Sequence, residues 1–272
     1  MNFRLLVFDI DGTLTNDAKE VTERTRRALS RAHEDGIDLA LASGRPVCGV
    51  MPLARELGLD RDGDYVIAFN GGQIYDVGTG RLIFERTLTI GEALQAYELA
   101  KYRGLTTVSY KGDCLITEDT DNEYVRLESH INHMDMIRVQ SFREALDFRP
   151  VKCLVVGEPE SLLECEKAAQ KELGAGLSIY RSAPYFLEIM PKGIDKGNAL
   201  SKIIGSTGLI RREIMAFGDG MNDLSMIRFA ELGIAMENAE PKLKQEADYV
   251  TLSNNEDGVA DAIERFIFRG RT

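Results

Sequence analysis

The chain has no tryptophan, three histidines and four cysteines in 272 residues, and no two cysteines fall in a C-x-x-C pair. Cys48, Cys114, Cys153 and Cys165 are widely scattered, so neither a zinc site nor a redox motif is indicated. Reduced thiols that serve packing are the expectation. His130 and His133 have a spacing that suits a metal on a helix, but no further ligands flank them, and they are expected to be exposed. No apolar run reaches the roughly 18 to 20 residues needed to span a bilayer. The N-terminus enters a strand pattern directly and lacks a signal-peptide pattern, so a cytoplasmic location is expected. Positive charge is also short: 33 Lys and Arg face 44 Asp and Glu, a formal net charge of -11. This argues against a general nucleic-acid or anionic-membrane partner, although local charges still allow a small anionic ligand. The G-x-x-x-x-G-K-[ST] pattern is missing, which excludes a P-loop nucleotide site. There is no internal repeat, low-complexity segment or long linker.

What is present is a globular composition, 44% hydrophobic and 28% charged, with length for one large or two ordinary domains. Leu5, Leu6, Val7 and Phe8 form a continuous apolar run that suits a strand buried on both faces of a parallel sheet. It ends in Asp9-Ile10-Asp11-Gly12-Thr13. On extended backbone Asp9 and Asp11 would point to one side and converge, while Ile10 would point away and leave its N–H free for an anion. Helical and strand patterns then alternate. A helix over 21–35 follows Thr22 as N-cap. A strand over 37–42 ends in Ser43-Gly44-Arg45, Pro46 opens the next helix, and a strand over 65–69 ends in Asn70-Gly71-Gly72. The following region mixes hairpins and helices. From Phe186 the parallel pattern is expected to resume, through a helix near Lys196, a strand over 214–217 ending in Gly218-Asp219-Gly220-Met221-Asn222-Asp223, and further helix and strand patterns to the end. The fold class is therefore α/β. A doubly wound parallel-sheet core, Rossmann-like, comprises residues 1–82 and 186–272, and an α+β domain with an antiparallel sheet is inserted at 83–185.

The Asp9/Asp11, Ser43/Gly44, Lys196 and Asp219/Asn222/Asp223 clusters all lie after strands or at a helix start. A parallel sheet gathers such ends on one edge. Several carboxylates in one crevice repel; two charges 4 Å apart cost roughly 4 kcal/mol at an effective dielectric near 20. An all-oxygen set without His or Cys favours a hard cation, and Mg²⁺ fits. Carboxylates, a hydroxyl, a lysine and turn N–H groups around such an ion match the needs of phosphoryl transfer, which asks mainly for positioning and charge neutralisation.

Asp9-Ile-Asp-Gly-Thr13, Ser43-Gly-Arg45, Lys196 and Gly218-Asp-Gly-Met-Asn-Asp223 resemble, in order, the four motifs of the haloacid dehalogenase (HAD) superfamily. The long insertion after the third strand resembles its Cof-type sugar-phosphate phosphatases with a type IIB α/β cap. The resemblance implies a Mg²⁺-dependent phosphatase for a small phosphorylated metabolite, with Asp9 as nucleophile forming an aspartyl-phosphate and Asp11 as general acid and base. It implies that Asp9, the Asp11 backbone carbonyl, Asp219 and Asp223 hold the metal. Ile10, Ser43, Gly44, Lys196 and Asn222 would bind the phosphate, with Lys196 also orienting Asp9. Thr13 would orient Asp11. The cap should close over the crevice and exclude water.

Alternatives weighed on the residues alone are a phosphosugar mutase or phosphotransferase and a non-catalytic binding module. Lys192 is the rival to Lys196, Asn70-Gly71 could be a pocket wall or only a tight turn, and a homo-oligomer is left open.

Overall fold

The computed structural model describes residues 2–268. In chain order the first elements are β1 (Leu5–Phe8), α1 (Glu23–Glu34), β2 (Asp38–Ala42), α2 (Val47–Glu56), β3 (Tyr65–Ala68), β4 (Gln73–Asp76) and β5 (Leu82–Glu85). Next come α3 (Ile90–Lys101), β6 (Thr106–Lys111), β7 (Cys114–Thr117), α4 (Glu123–Asn132), β8 (Asp135–Arg138), α5 (Phe142–Ala145), β9 (Cys153–Val156), α6 (Pro159–Leu173), β10 (Leu177–Ala183) and β11 (Phe186–Pro191). The chain closes with α7 (Lys196–Thr207), β12 (Ile214–Gly218), α8 (Leu224–Phe229), β13 (Leu232–Ala235), α9 (Pro241–Glu246), β14 (Tyr249–Val250) and α10 (Gly258–Ile263).

The chain divides into two compact units, residues 1–84 with 195–272, and residues 85–194. The first holds an eight-stranded sheet in the order β14-β13-β12-β1-β2-β3-β4-β5, parallel from β14 through β3 with β4 antiparallel on β3. All four β1 side chains are buried, as a strand covered on both faces requires. The Phe8 and Phe217 rings stack across the β1–β12 pair at 4.8 Å. From β1 the chain winds one way to β2 and β3, and its later strands build out the other way from β12. This puts a topological switch point at the C-terminal end of β1, where open α/β sheets place ligands. The expected Thr22 cap is present: its hydroxyl accepts the Thr25 N–H at 3.2 Å.

The inserted unit is built on a six-stranded sheet ordered β10-β11-β9-β6-β7-β8. Its core joins Ala93, Ala96 and Ala100 of α3 and Leu162, Cys165 and Ala169 of α6 to Cys153, Val155, Leu187 and Ile189 of the sheet. Burial raises the thiols of Cys153 to about 12 and Cys165 to about 11, in keeping with unreactive packing residues. His130 and His133 are exposed, as expected.

Two expectations fail here. The sequence pattern places the strand at Phe186 in the parallel core, but β11 pairs antiparallel with both β9 and β10. Its apolar run would serve either sheet equally, and hydropathy does not specify a partner. The chain therefore returns to the first unit at Asp195, not at 186, and leaves it after Phe84. Strand β8, parallel to β7, was not anticipated, because its largely exposed Asp-Met-Ile-Arg sequence carries little pattern.

Asp64 ties down the approach to the switch point. It is fully buried, and its carboxylate accepts the N–H groups of Leu39 (2.9 Å), Asp60 (3.1 Å) and Arg61 (3.0 Å), with His33 Nε2 2.8 Å away. Asp64→Ala strands these donors and should cost about 3 kcal/mol. Thermal denaturation should then show a fall of roughly 6–12 °C in Tm, with turnover at permissive temperature retained. A shift below about 2 °C contradicts this role.

Candidate active site

The β1 register sets Phe8 beside Phe217 of β12 and Leu41 of β2. The residues that follow these three strands, Asp9, Asp219 and Ser43, therefore meet on one edge. Asp9 N–H continues the ladder to Phe217 O at 3.0 Å. Beyond Asp9 the backbone turns: Leu14 N–H reaches Asp9 O and Ile10 O, and Thr15 N–H reaches Ile10 O. The extended geometry expected to make Asp9 and Asp11 converge thus ends before Asp11.

Asp9 is buried, and its Oδ1 lies 2.5 Å from Lys196 Nζ, which also lies 2.5 Å from Asp223 Oδ1. Lys196 is fully buried at the first position of α7. It gets there because α7 packs against α8 at Gly197, where a Cβ would sit 2.5 Å from Ser225 O. Lys192 instead donates to Ala175 O at 3.1 Å, so Lys196 is the lysine of the cluster. Asp223 is fully engaged: its Oδ2 accepts the N–H groups of Asp219 and Gly220, each at 3.0 Å. It shapes the 218–223 loop and anchors Lys196, with both oxygens occupied.

Asp219 Oδ1 accepts the Thr13 hydroxyl at 2.7 Å. Thr13 therefore orients Asp219 and not Asp11, which corrects the expectation. Gly12, at φ +84°, makes the turn, and a Cβ there would lie 2.5 Å from Asp219 Oδ2. Only glycine serves at that position.

Asp11 sits apart. Arg45 grips it with both prongs, Nε to Oδ2 at 2.9 Å and Nη2 to Oδ1 at 2.6 Å, and Lys19 Nζ lies 3.0 Å from Oδ1. Arg45 and Lys19 were not singled out from sequence, although Arg45 stands inside the Ser43-Gly44-Arg45 motif.

The phosphate-cradle candidates divide similarly. The Ile10 side chain is buried, and its N–H has no acceptor among the described residues. Gly44 N–H is likewise without one. Ser43 Oγ accepts Arg45 N–H at 3.2 Å, leaving its own proton to donate. Asn222 Nδ2 donates to Asn70 Oδ1 at 3.2 Å.

Charge follows from these contacts. Burial, then the Asp223 charge, raises the Asp9 carboxyl well above its usual value, against the pull of Lys196. Burial and Asp223 likewise push Asp219 up to about 6, opposed by the Thr13 hydrogen bond. Burial also works against ionised Asp11, but the Arg45 and Lys19 contacts outweigh it and hold that carboxyl below its usual value. Desolvation disfavours the Lys196 charge, and the charges of Asp223 and Asp9 more than restore it.

Asp9, Asp219 and Asp223 offer oxygens that all lie within 4.8 Å of one another. Asp9 Oδ2 and Asp219 Oδ2 carry no hydrogen bond among the described residues. Two unpaired carboxylate oxygens in a partly buried all-oxygen set fit a divalent cation. In a second group, His33, Asp60 and Asp64, the Asp64 carboxylate is already taken up by three backbone N–H groups and His33.

Above about pH 6 the native Asp219 carboxylate is charged in an unfavourable setting; below about pH 4 both folded and unfolded states hold its proton. Without metal its charge therefore weakens the fold at neutral pH. Asp219→Asn keeps an acceptor for Thr13 and should raise the Tm in EDTA at pH 7.5 by about 3 °C. The gain should vanish toward pH 4. An unchanged or lower Tm at pH 7.5 counts against a crowded cluster.

Residues 6–263 match the family model described as haloacid dehalogenase-like hydrolase. YxeH of Bacillus subtilis (strain 168), named provisionally as a phosphatase, is 34% identical over 97% of this chain and 98% of its own. The crystal structure of a haloacid dehalogenase-like hydrolase from Bacteroides thetaiotaomicron superposes with a TM-score of 0.93 at 41% identity, covering 98% of this chain and 100% of that one. The structure of BT4131, described as a HAD subclass IIB sugar phosphatase, gives 0.79 at 28% identity over 97% and 98%. The fold, the ordered motifs and these matches agree, and the chain belongs to the haloacid dehalogenase-like hydrolase family.

Proposed function

We propose that the protein is a Mg²⁺-dependent phosphatase that hydrolyses small phosphomonoesters, sugar phosphates foremost, through an aspartyl-phosphate on Asp9. The observation that carries this reading is the state of Asp9. It is buried, aimed by Lys196 through Oδ1, and carries no hydrogen bond at Oδ2 among the described residues. Beside it stand the Ile10 and Gly44 N–H groups, which have no acceptor among the described residues. Similarity to BT4131, whose description names a sugar phosphatase, supports the substrate class.

In this reading the Asp9 carboxylate attacks phosphorus, the bond to the ester oxygen breaks, and the leaving oxygen takes a proton from Asp11. Water then attacks phosphorus and gives a proton to Asp11, the phosphorus–Asp9 bond breaks, and phosphate departs. Arg45 and Lys19 hold both Asp11 oxygens and keep that carboxyl ionised in the structure, so before the first step Asp11 must give up at least one of these contacts and take a proton from solvent, which the attacking water returns to it in the second. Ile10 and Gly44 N–H, the Ser43 hydroxyl, Lys196 and Asn222 hold the phosphoryl oxygens. Asp9, Asp219 and the Asp11 carbonyl are the proposed holders of Mg²⁺, with Asp223 bracing the loop behind them. A bound Mg²⁺ would offset the charge on carboxylate and phosphate. Substrate choice is assigned to the inserted unit, the cap of the family resemblance, and the proposed setting is the cytoplasm.

Phosphate release from a phosphomonoester panel tests this. Wild type with Mg²⁺ should turn over at least one compound, and EDTA should abolish the rate with recovery on Mg²⁺ addition. Asp9→Asn should lose at least about 10³-fold. Asp11→Asn should lose about 10²–10⁴-fold in kcat, with the Mg²⁺ concentration for half-activation nearly unchanged. Asp9→Asn kinetics equal to wild type, or loss of Mg²⁺ response as severe in Asp11→Asn as in Asp9→Asn, contradicts the assignment. An isomerised sugar phosphate without free phosphate points to the mutase instead.

A further inference from the structure

The turn after β3 contains three successive residues with positive φ: Phe69 at 50°, Asn70 at 53° and Gly71 at 103°. Such a conformation is ordinary for glycine, tolerated by asparagine and strained for a phenylalanine. Strain of this kind persists where surrounding contacts over-determine it, and those contacts lead to the cradle. Phe69 N–H donates to Arg45 O at 3.0 Å, and Asn70 N–H donates to Ser43 O at 2.8 Å. The turn is thereby stitched along the Ser43-Gly44-Arg45 segment. A Cβ on Gly71 would lie 2.6 Å from Asp195 O, so the turn also touches the start of the helix that carries Lys196.

The Asn70 side chain reaches the remaining arms. Its Nδ2 lies 3.1 Å from where a Gly44 Cβ would stand, and its Oδ1 accepts from Asn222 Nδ2 at 3.2 Å. A carboxamide nitrogen carries two protons. With one spent on Asn70, the direction of the other is fixed. One buried amide thus spans the gap between the β2 and β12 loops, between two groups assigned above to the phosphoryl oxygens.

We propose that Asn70 is a positioning residue of the reaction: its side chain sets the separation and orientation of the Gly44 N–H and the Asn222 amide. This rests on the phosphatase reading. Asn70 acts through those two groups, so its loss should weaken the hold on the charge that develops in the transition state more than the hold on substrate.

The test uses steady-state kinetics on the best panel substrate. Asn70→Gly accommodates φ of 53° and removes only the amide. Its kcat should fall at least about tenfold with KM within about threefold. The inhibition constant for orthovanadate, a mimic of the five-coordinate phosphorus, should rise in step with the loss of kcat. Asn222→Ala should produce a similar loss, and the double variant should be no slower than the slower single variant, since both remove one arrangement. Should Asn70→Gly melt at markedly lower temperature, Asn70→Ser, whose short uncharged side chain cannot reach Asn222, carries the test with the same expected loss.

A kcat within about twofold of wild type overturns the proposal, as do multiplying losses in the double variant or an unchanged vanadate constant. An active wild type with unimpaired Asn70 variants overturns this inference alone; a wild type that releases no phosphate overturns the phosphatase reading and this inference with it.

Discussion

Lys196 Nζ lies 2.5 Å from both Asp9 Oδ1 and Asp223 Oδ1, at a fully buried position. Taking an ammonium and two carboxylates out of water costs several kcal/mol per ion unless the geometry repays it. Much of the first unit is arranged to make that repayment. Asp223 has its other oxygen filled by two loop N–H groups. Gly197 lets α7 approach α8 closely enough to deliver the lysine. The parallel register of β1 and β12 brings Asp9 level with the loop that carries Asp219 and Asp223. If any of these fails, a buried charge is left without its partner.

The same arrangement makes four carboxylates unequal. Asp223 is spent on structure. Asp9 is aimed and left with one open oxygen, Asp219 is aimed by Thr13, and Asp11 is held ionised at the rim by Arg45 and Lys19. Burial raises the first acid of the Asp9-Ile10-Asp11 stretch while ion pairing lowers the second. Environments that push neighbouring acids apart are the usual way one site assigns distinct roles to one residue type. The proposed roles need this order reversed: a bound cation beside Lys196 would favour the ionised Asp9 nucleophile, and release of Asp11 from Arg45 or Lys19 would let it take up the proton it delivers.

Much of this was legible in the sequence. The strands β1, β2, β3 and β12 announce themselves as apolar runs, and each ends at the residues that build the crevice. What was not legible depended on pairing or direction. The Phe186 strand has an apolar pattern that serves two sheets, and only its partners place it in the inserted unit. Thr13 turns to Asp219 because Gly12 takes a positive φ, which side-chain spacing does not encode. Arg45 and Lys19 are ordinary surface residue types whose grip on Asp11 is a matter of three-dimensional reach. Asn70 looked like a turn former, and it is one; its amide matters because two distant loops converge on it.

The central claim is that the buried Lys196 charge balances Asp9 and Asp223 and so holds the crevice together. The most direct measurement is the melting temperature of Lys196→Met against wild type, both metal-free at pH 7.5. Methionine keeps much of the length and apolar stem and removes only the ammonium group. Breaking a buried pair of this kind costs about 3–5 kcal/mol, which corresponds to a fall of roughly 6–20 °C for a chain of this size. That fall is the predicted result; a Tm equal to or above that of wild type would contradict the account.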